Sequence, residues 1–133
     1  MKTYILSLDE LDDFVKKLPK EGIILLCGNL ASGKTTLTKK IALNLGIEDE
    51  IISPTFNIMQ SYDDILYHYD IYNDGTKKLL ETGLFENLFE DGLHVVEWAD
   101  KSLENLLNEN SLNYIKITIT PFEDKRKYEV VRA

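Results

Sequence analysis

The sequence is poor in cysteine and has no long apolar run. Its 133 residues include one cysteine, Cys27, which cannot form an internal disulfide and is expected to be a small core residue. No stretch approaches the roughly 20 apolar residues of a membrane-spanning helix. The first ten residues carry Asp9 and Glu10 where a secretory signal needs an apolar segment. We therefore expect a cytoplasmic protein with no membrane contact, formed by a single domain over residues 1–133.

Positive charge is also scarce. The chain has 15 basic residues against 23 acidic ones, which gives a formal net charge of −8. Proteins hold nucleic acid mainly through Lys and Arg on its phosphates, so this balance argues against direct binding of nucleic acid. A role in nucleic-acid metabolism would depend on a partner protein. The hydrophobic content of 44% is enough for a packed core and argues against general disorder.

The chain does contain a glycine-rich stretch at residues 28–35 that reads G-x-x-x-x-G-K-T, the P-loop pattern. Its glycines let the backbone form a nest of N–H groups around phosphate oxygens. Lys34 can place its ammonium on the β- and γ-phosphates, and the Thr35 hydroxyl can bind Mg²⁺. The helix that follows adds the partial positive charge of its N-terminus to the same site.

The segments around this loop match the context that the motif needs. The apolar run Gly22–Cys27 reads as a buried strand before the loop, and residues 34–45 show apolar residues at helical spacing after it. The sequence therefore predicts an α/β chain with the three-layer fold of P-loop NTPases. Its central sheet is expected to be mixed and mainly parallel, with antiparallel strands at the C-terminus.

Other segments show regular patterns as well. Ser7 and Glu10 fit a capping box in front of an amphipathic helix that ends at Pro19. Asp63 and Asp64 suit the turn of a hairpin between strands 57–62 and 65–72. Two short helices are expected between residues 73 and 92, another over 100–107, and strands over 115–120 and 127–132, with a turn at 121–124 between them.

Three further positions are candidates for phosphate or metal chemistry. Glu97 ends an apolar strand, at the edge where open α/β sheets hold ligands, and is a candidate for Mg²⁺. His68 and Asp70 share one face of their strand, so they either pair with each other or face a polar site. Thr55 follows a Ser-Pro pair and could be a switch residue, although a plain turn is the simpler interpretation.

Two more absences narrow the class of P-loop protein. The Asn-Lys-x-Asp motif by which GTPases read guanine does not occur. Nucleotide kinases bring several arginines from a lid, whereas this chain has only Arg126 and Arg132, both in the last predicted strand. An arginine at the phosphates can raise the rate ~10³–10⁵-fold, so hydrolysis should be slow if neither reaches the site. A small-molecule kinase, or a nucleotide-dependent binding module with little hydrolysis, remains an alternative.

In four segments the chain resembles the TsaE type, the small bacterial P-loop ATPase of the machinery that makes tRNA threonylcarbamoyladenosine. The segments are GNLASGKTT at 28–36, SPTF at 53–56, HYDIY at 68–72 and VVEWAD at 95–100. They come in the family's order and at its approximate spacing, and the resemblance covers nearly the whole chain. The last two are much more specific than the P-loop, which many enzymes share.

The resemblance implies an ATP-hydrolysing subunit that supports formation of threonylcarbamoyladenosine at position 37 of tRNA. ATP and Mg²⁺ would be its cofactors, and its partners would be the transferase subunit and the non-catalytic paralogue of that subunit, with tRNA contacted only indirectly. It also implies roles for Thr35, Glu97 and Asp70 in the metal and water network, and for Thr55 as a switch. The implied nucleotide-contacting residues are Asn29, Leu30, Ala31, Ser32, Gly33, Lys34, Thr35, Thr36 and Trp98.

Two positions depart from the family pattern. Asn73 stands where the family usually has arginine, which puts any charge or docking role of that arginine in doubt. Residues 29–32 read Asn-Leu-Ala-Ser, where the family more often has an acidic residue and a glycine. Because Ala31 and Ser32 are small, the backbone nest should still form.

Overall fold

A mixed sheet of seven strands forms the centre of the computed structural model, which describes residues 1–29, 33–51, 58–72 and 75–132. Across the sheet the strands follow the order β1-β7-β6-β2-β5-β4-β3. The four inner strands β6, β2, β5 and β4 are parallel, and the edge pairings are antiparallel. The strands are β1 (Lys2–Leu6), β2 (Gly22–Cys27), β3 (Met59–Tyr62), β4 (Leu66–Asp70), β5 (Leu93–Glu97), β6 (Ile115–Phe122) and β7 (Lys125–Arg132).

Helices cover both faces of this sheet. Ile24 and Leu26 of β2 pack on one face with α1 and α2, while Leu25 packs on the other with α3, α4 and a 3₁₀ turn. Strand β2 is therefore buried on both sides, which explains its continuous apolar run. The helices are α1 (Leu11–Lys16), α2 (Lys34–Asn44), α3 (Gly75–Thr82) and α4 (Lys101–Glu109), with 3₁₀ turns at Leu8–Glu10 and Leu84–Phe89.

This arrangement confirms the predicted three-layer α/β fold, including the antiparallel C-terminal strands. The parallel pairing is confined to the centre of the sheet. The hairpin β3-β4 forms one antiparallel edge, and the hairpin β6-β7 together with β1 forms the other. In the described part of the chain, no helix combines the length and the apolar character needed to cross a membrane.

Several predicted boundaries move. Strand β4 ends at Asp70 and leaves Tyr72 in an exposed turn, and the second short helix of the 73–92 segment is a 3₁₀ turn. Strand β6 continues through Pro121, so the predicted turn at 121–124 is shorter than expected. The hairpin at Asp63 and Asp64 is confirmed, since both residues have the left-handed φ values, 56° and 53°, that a tight turn of this hand requires.

A buried polar chain ties β5 to the layer that contains α3 and α4. His94 is 1% exposed, and its Nε2 donates to the Glu90 carbonyl oxygen at 2.9 Å. Its Nδ1 therefore accepts the hydroxyl of Tyr69 at 2.7 Å, and that hydroxyl accepts the amide of Asn87 at 2.8 Å. The Tyr67 ring stacks on His94 with ring centroids 4.6 Å apart. Every polar atom of the His94 ring is satisfied in the neutral form.

We expect His94 to make stability fall on acidification. Burial lowers the pKa of His94, opposed by its contact with Glu90, so the unfolded chain binds more protons than the folded one below about pH 6.5. The free energy of unfolding should therefore rise as pH increases from 5 to 7, measured by urea denaturation at each pH.

The variant His94→Gln should flatten this rise because it cannot titrate. Asn87→Ala is the control: it removes the hydrogen bond to Tyr69 and should lower stability at every pH while keeping the slope. An unchanged slope in His94→Gln would show that another group governs the pH dependence.

Candidate functional site

Three parallel strands bring their C-terminal ends to one edge of the sheet. Strand β2 leads into Gly28, β5 ends at Glu97 and β4 ends at Asp70. Leu26 and Asp70 lie on either side of Glu97 in the strand register. The backbone N–H of Trp98 donates to the Leu26 carbonyl at 3.1 Å, which holds the end of β5 against the start of the loop. The sequence-predicted residues thus meet because their strands are neighbours.

Lys34 is the first residue of α2 and is 5% exposed. Its ammonium donates to the carbonyl oxygens of Gly28 and Asn29, both at 2.8 Å, and lies 3.9 Å from the centre of the Trp98 ring. Burial lowers the pKa of Lys34, while the carboxylates of Glu97 and Asp70 oppose that shift. The site therefore holds a buried cation beside the start of the loop, an arrangement suited to receiving an anion.

Thr35 and Glu97 face each other across the same edge. The Thr35 hydroxyl lies 3.3 Å and 3.4 Å from the two carboxylate oxygens of Glu97, longer than the usual O–H···O distance. Glu97 is 2% exposed, and its Oε2 also contacts Nε2 of His68. A hydroxyl and a carboxylate held this way are the donor set by which P-loop proteins hold Mg²⁺.

The donor set fits Mg²⁺ better than a metal bound by protein alone. Among the described residues, no three His, Cys, Asp or Glu side chains gather into a metal-binding group. Mg²⁺ is usually held by one or two carboxylates together with water and substrate phosphates, so Thr35 and Glu97 suffice on the protein side.

Asp70 and Trp98 border this donor set. Asp70 is half-buried, and its Oδ1 accepts the backbone N–H of Tyr72 at 3.2 Å. Trp98 has a left-handed φ of 67°, which is strained for an aromatic residue, and its ring also lies 4.7 Å from that of Tyr72. With its backbone in this conformation, Trp98 places its ring over the Lys34 ammonium.

A feature that the sequence did not reveal is the approach of Arg126 to the loop. Gly33 has a φ of 108°, and a β-carbon placed on it would lie 2.5 Å from Nη1 of Arg126. The guanidinium thus rests directly on the loop glycine. Arg126 also lines a cleft of about 500 Å³ together with Thr36, Leu8 and Pro121, next to the start of α2. The sequence left open whether either arginine reaches the site, and Arg126 does lie against the loop.

Not every predicted site residue can be located. Leu30, Ala31, Ser32, Thr55 and Asn73 lie outside the described residues. Cys27 is half-buried at the end of β2, with its Sγ 3.6 Å from the Ala99 carbonyl, instead of deep in the core. The question left open for His68 is answered by the geometry. In the described part of the chain His68 contacts Glu97 and not Asp70.

The sequence did not predict the contacts His68–Glu97 and Arg126–Gly33, and it contains a partial indication of the first one alone. Period-two alternation placed His68 on the same strand face as Asp70, so a polar partner was expected, although not which one. Arg126 gave no local signal, because its contact with Gly33 depends on β7 lying next to β6 and on the bend of the β6-β7 hairpin.

Comparison with known proteins gives consistent matches. Residues 6–128 match the family model described as threonylcarbamoyl adenosine biosynthesis protein TsaE. The chain is 38% identical over 96 residues to the TsaE protein of Treponema pallidum, covering 69% of this chain and 71% of that one. It is 40% identical over 99 residues to TsaE of Bacillus subtilis, covering 71% and 61% of the two chains. The crystal structure of YdiB from Bacillus subtilis superposes with a TM-score of 0.68 at 30% identity, covering 99% of this chain and 86% of that one.

We expect Gly33 to tolerate alanine less well than Gly22, which has nearly the same φ. Gly22 has φ 105° and no atom within 4 Å of the place a β-carbon would take, so Gly22→Ala should cost only the backbone strain of about 1–3 kcal/mol. Gly33→Ala also displaces the flexible guanidinium of Arg126 and should cost about 0.5 kcal/mol more, measured by urea denaturation.

The double variant Gly33→Ala/Arg126→Ala separates the two contributions. Removing the guanidinium should return the cost of Gly33→Ala to that of Gly22→Ala, because the colliding group is gone. Additive effects of the two substitutions would mean that Arg126 does not rest on the loop in solution.

Proposed function

Because the chain belongs to the TsaE family of threonylcarbamoyl adenosine biosynthesis proteins, we propose that it binds and slowly hydrolyses ATP in support of tRNA threonylcarbamoyladenosine modification at position 37. The observation that carries this proposal is the buried cluster at the strand ends. It combines the Lys34 ammonium with the opposed Thr35 hydroxyl and Glu97 carboxylate. These are the groups that phosphoryl transfer needs on the protein side.

In this proposal each group has a separate task. Lys34 leaves the carbonyl oxygens of Gly28 and Asn29 and binds the β- and γ-phosphates of ATP. Thr35 and Glu97 would hold Mg²⁺, which would supply positive charge beside the phosphates. Asp70, beside Glu97 in the register, orients the attacking water. Thr55 remains a candidate switch residue from the sequence.

The cleft beside α2 is suited to the remainder of the nucleotide. It opens next to Thr36, at the N-terminal end of the helix. Its walls include the apolar Leu8 and Pro121, the acidic Glu123 and Asp124, and the guanidinium of Arg126. An apolar wall can cover a purine ring, and a guanidinium binds phosphate in its rigid fork geometry. We therefore place the base in this cleft, with Arg126 on the phosphate nearest the ribose.

This placement keeps hydrolysis slow. An arginine on the phosphate nearest the ribose secures binding but stabilises little of the charge that develops around the γ-phosphate. Further positive charge would then come from a partner, namely the transferase subunit or its non-catalytic paralogue. The net charge of −8 supports the same division, since tRNA would be held by those partners and not by this chain.

The hydrolysis proposal is tested by Mg²⁺-dependent ATP turnover of the purified chain, alone and with the two partner proteins. Lys34→Ala and Glu97→Gln should each lower turnover about 10²–10³-fold, the loss typical of one electrostatic group. Lys39→Ala, an exposed lysine on the same helix, is the matched control and should keep full activity.

Partners should raise turnover of the parent chain, and ATP should change its affinity for them. Full activity of both site variants would contradict the site assignment. If turnover ignores the partners and partner binding ignores nucleotide, hydrolysis is not coupled to the complex.

The nucleotide role of Arg126 has its own test. Arg126→Ala should weaken ADP binding about 10-fold or more, because a charge-assisted hydrogen bond contributes about 1.5–3 kcal/mol. Trp98 is the single tryptophan of the chain and lies beside Lys34, so its fluorescence reports binding. The control is Arg132→Ala, at the far end of the same strand β7, which should bind normally. Equal affinity in the two variants would remove Arg126 from the site.

A further inference from the structure

His68 occupies a position that the proposed chemistry has not used. It lies in β4 between β3 and β5, is 0% exposed, and faces the same side of the sheet as Glu97. Its Nε2 contacts Oε2 of Glu97. Its Nδ1 has no hydrogen-bond partner within the described residues, so the polar contact that the ring makes there is the one to Glu97.

The contact matters because Glu97 is a carboxylate with few ways to hold its orientation. It is 2% exposed and therefore lacks the water that would solvate its oxygens. The Thr35 hydroxyl reaches both oxygens only at 3.3 Å and 3.4 Å, too far to fix the plane of the carboxylate. The His68 ring, locked by burial between two strands, supplies a rigid anchor for one oxygen.

The acid on this face of β4, Asp70, makes a local hydrogen bond. Asp70 lies two residues further on the same strand face, yet its Oδ1 accepts the backbone N–H of Tyr72 at 3.2 Å. His68 therefore reaches across to the neighbouring strand instead of along its own. Because the register sets His68 against Val95 and Asp70 against Glu97, the ring can meet the carboxylate only diagonally.

We propose that His68 is a positioning residue: its Nε2–H holds Oε2 of Glu97 and so leaves Oε1 available to the Thr35 hydroxyl and to Mg²⁺. Hydrogen bonds to a metal-binding carboxylate orient it, and their loss typically lowers metal affinity or activity 10–100-fold. This inference rests on the proposed function, since it assigns His68 to the Mg²⁺ site of that nucleotide-binding chain.

The test compares His68→Phe, which fills the space without a donor, with His68→Gln, whose amide nitrogen reaches as far as Nε2. The ADP complex is titrated with Mg²⁺ while Trp98 fluorescence is recorded, and ATP turnover is measured against Mg²⁺. In His68→Phe the Mg²⁺ concentration at half-saturation should rise 10–100-fold, whereas His68→Gln should stay near the parent. ADP affinity in excess EDTA should not change in either variant.

The matched control is His94→Phe. His94 is an equally buried histidine on the adjacent strand, facing the other side of the sheet. This variant should lose stability without any shift in the Mg²⁺ dependence, which separates positioning from general damage to the sheet. Should His68→Phe fail to fold, His68→Asn replaces it, because its shorter amide withdraws the donor from Glu97 and should give the same shift.

The outcomes distinguish the role of His68 from the proposed function. A parent chain with no Mg²⁺ response in ADP binding or turnover would overturn the proposed function, and the role of His68 with it. A normal parent whose His68→Phe variant keeps the parental Mg²⁺ midpoint would overturn only the role of His68. The same holds if His68→Gln fails to restore the parental midpoint while folding normally.

Discussion

A carboxylate that is 2% exposed at the end of the central strand β5 constrains everything around it. A charge taken out of water is destabilising unless hydrogen bonds or opposite charges replace the lost solvation. Glu97 obtains these from His68 on the neighbouring strand and from Thr35 on α2. With β4 and β2 on either side of β5, both partners lie within reach of Glu97.

The Lys34 ammonium is the positive counterpart of this buried carboxylate. It donates to two backbone carbonyl oxygens and lies over the face of the Trp98 ring. The ring reaches Lys34 from a residue with a left-handed φ of 67°, so part of the packing energy sustains a strained backbone. In our proposal this ammonium binds the phosphates of the nucleotide.

A second positive charge near the loop, the Arg126 guanidinium, comes from the C-terminal part of the chain. Arg126 lies on β7, at the antiparallel edge of the sheet, and rests on Gly33 through a contact that a side chain at that position would block. Glycine is favoured there by the φ of 108°, which residues with a β-carbon rarely adopt. The contact also joins the C-terminal hairpin to the loop, so in our proposal the antiparallel strands complete the nucleotide site as well as the sheet.

Local spacing in the sequence determined the fold class, the buried strand β2, the helix after the loop, the hairpin turn at Asp63 and Asp64, and the candidacy of Lys34, Thr35 and Glu97. These features depend on residues a few positions apart, where periodicity and backbone preference carry the information. The contacts His68–Glu97 and Arg126–Gly33 were decided only by the tertiary structure, since they join residues from strands and loops far apart in sequence. Strand order and register determine which of these residues come into contact, and neither can be predicted from the residue spacing within a single segment.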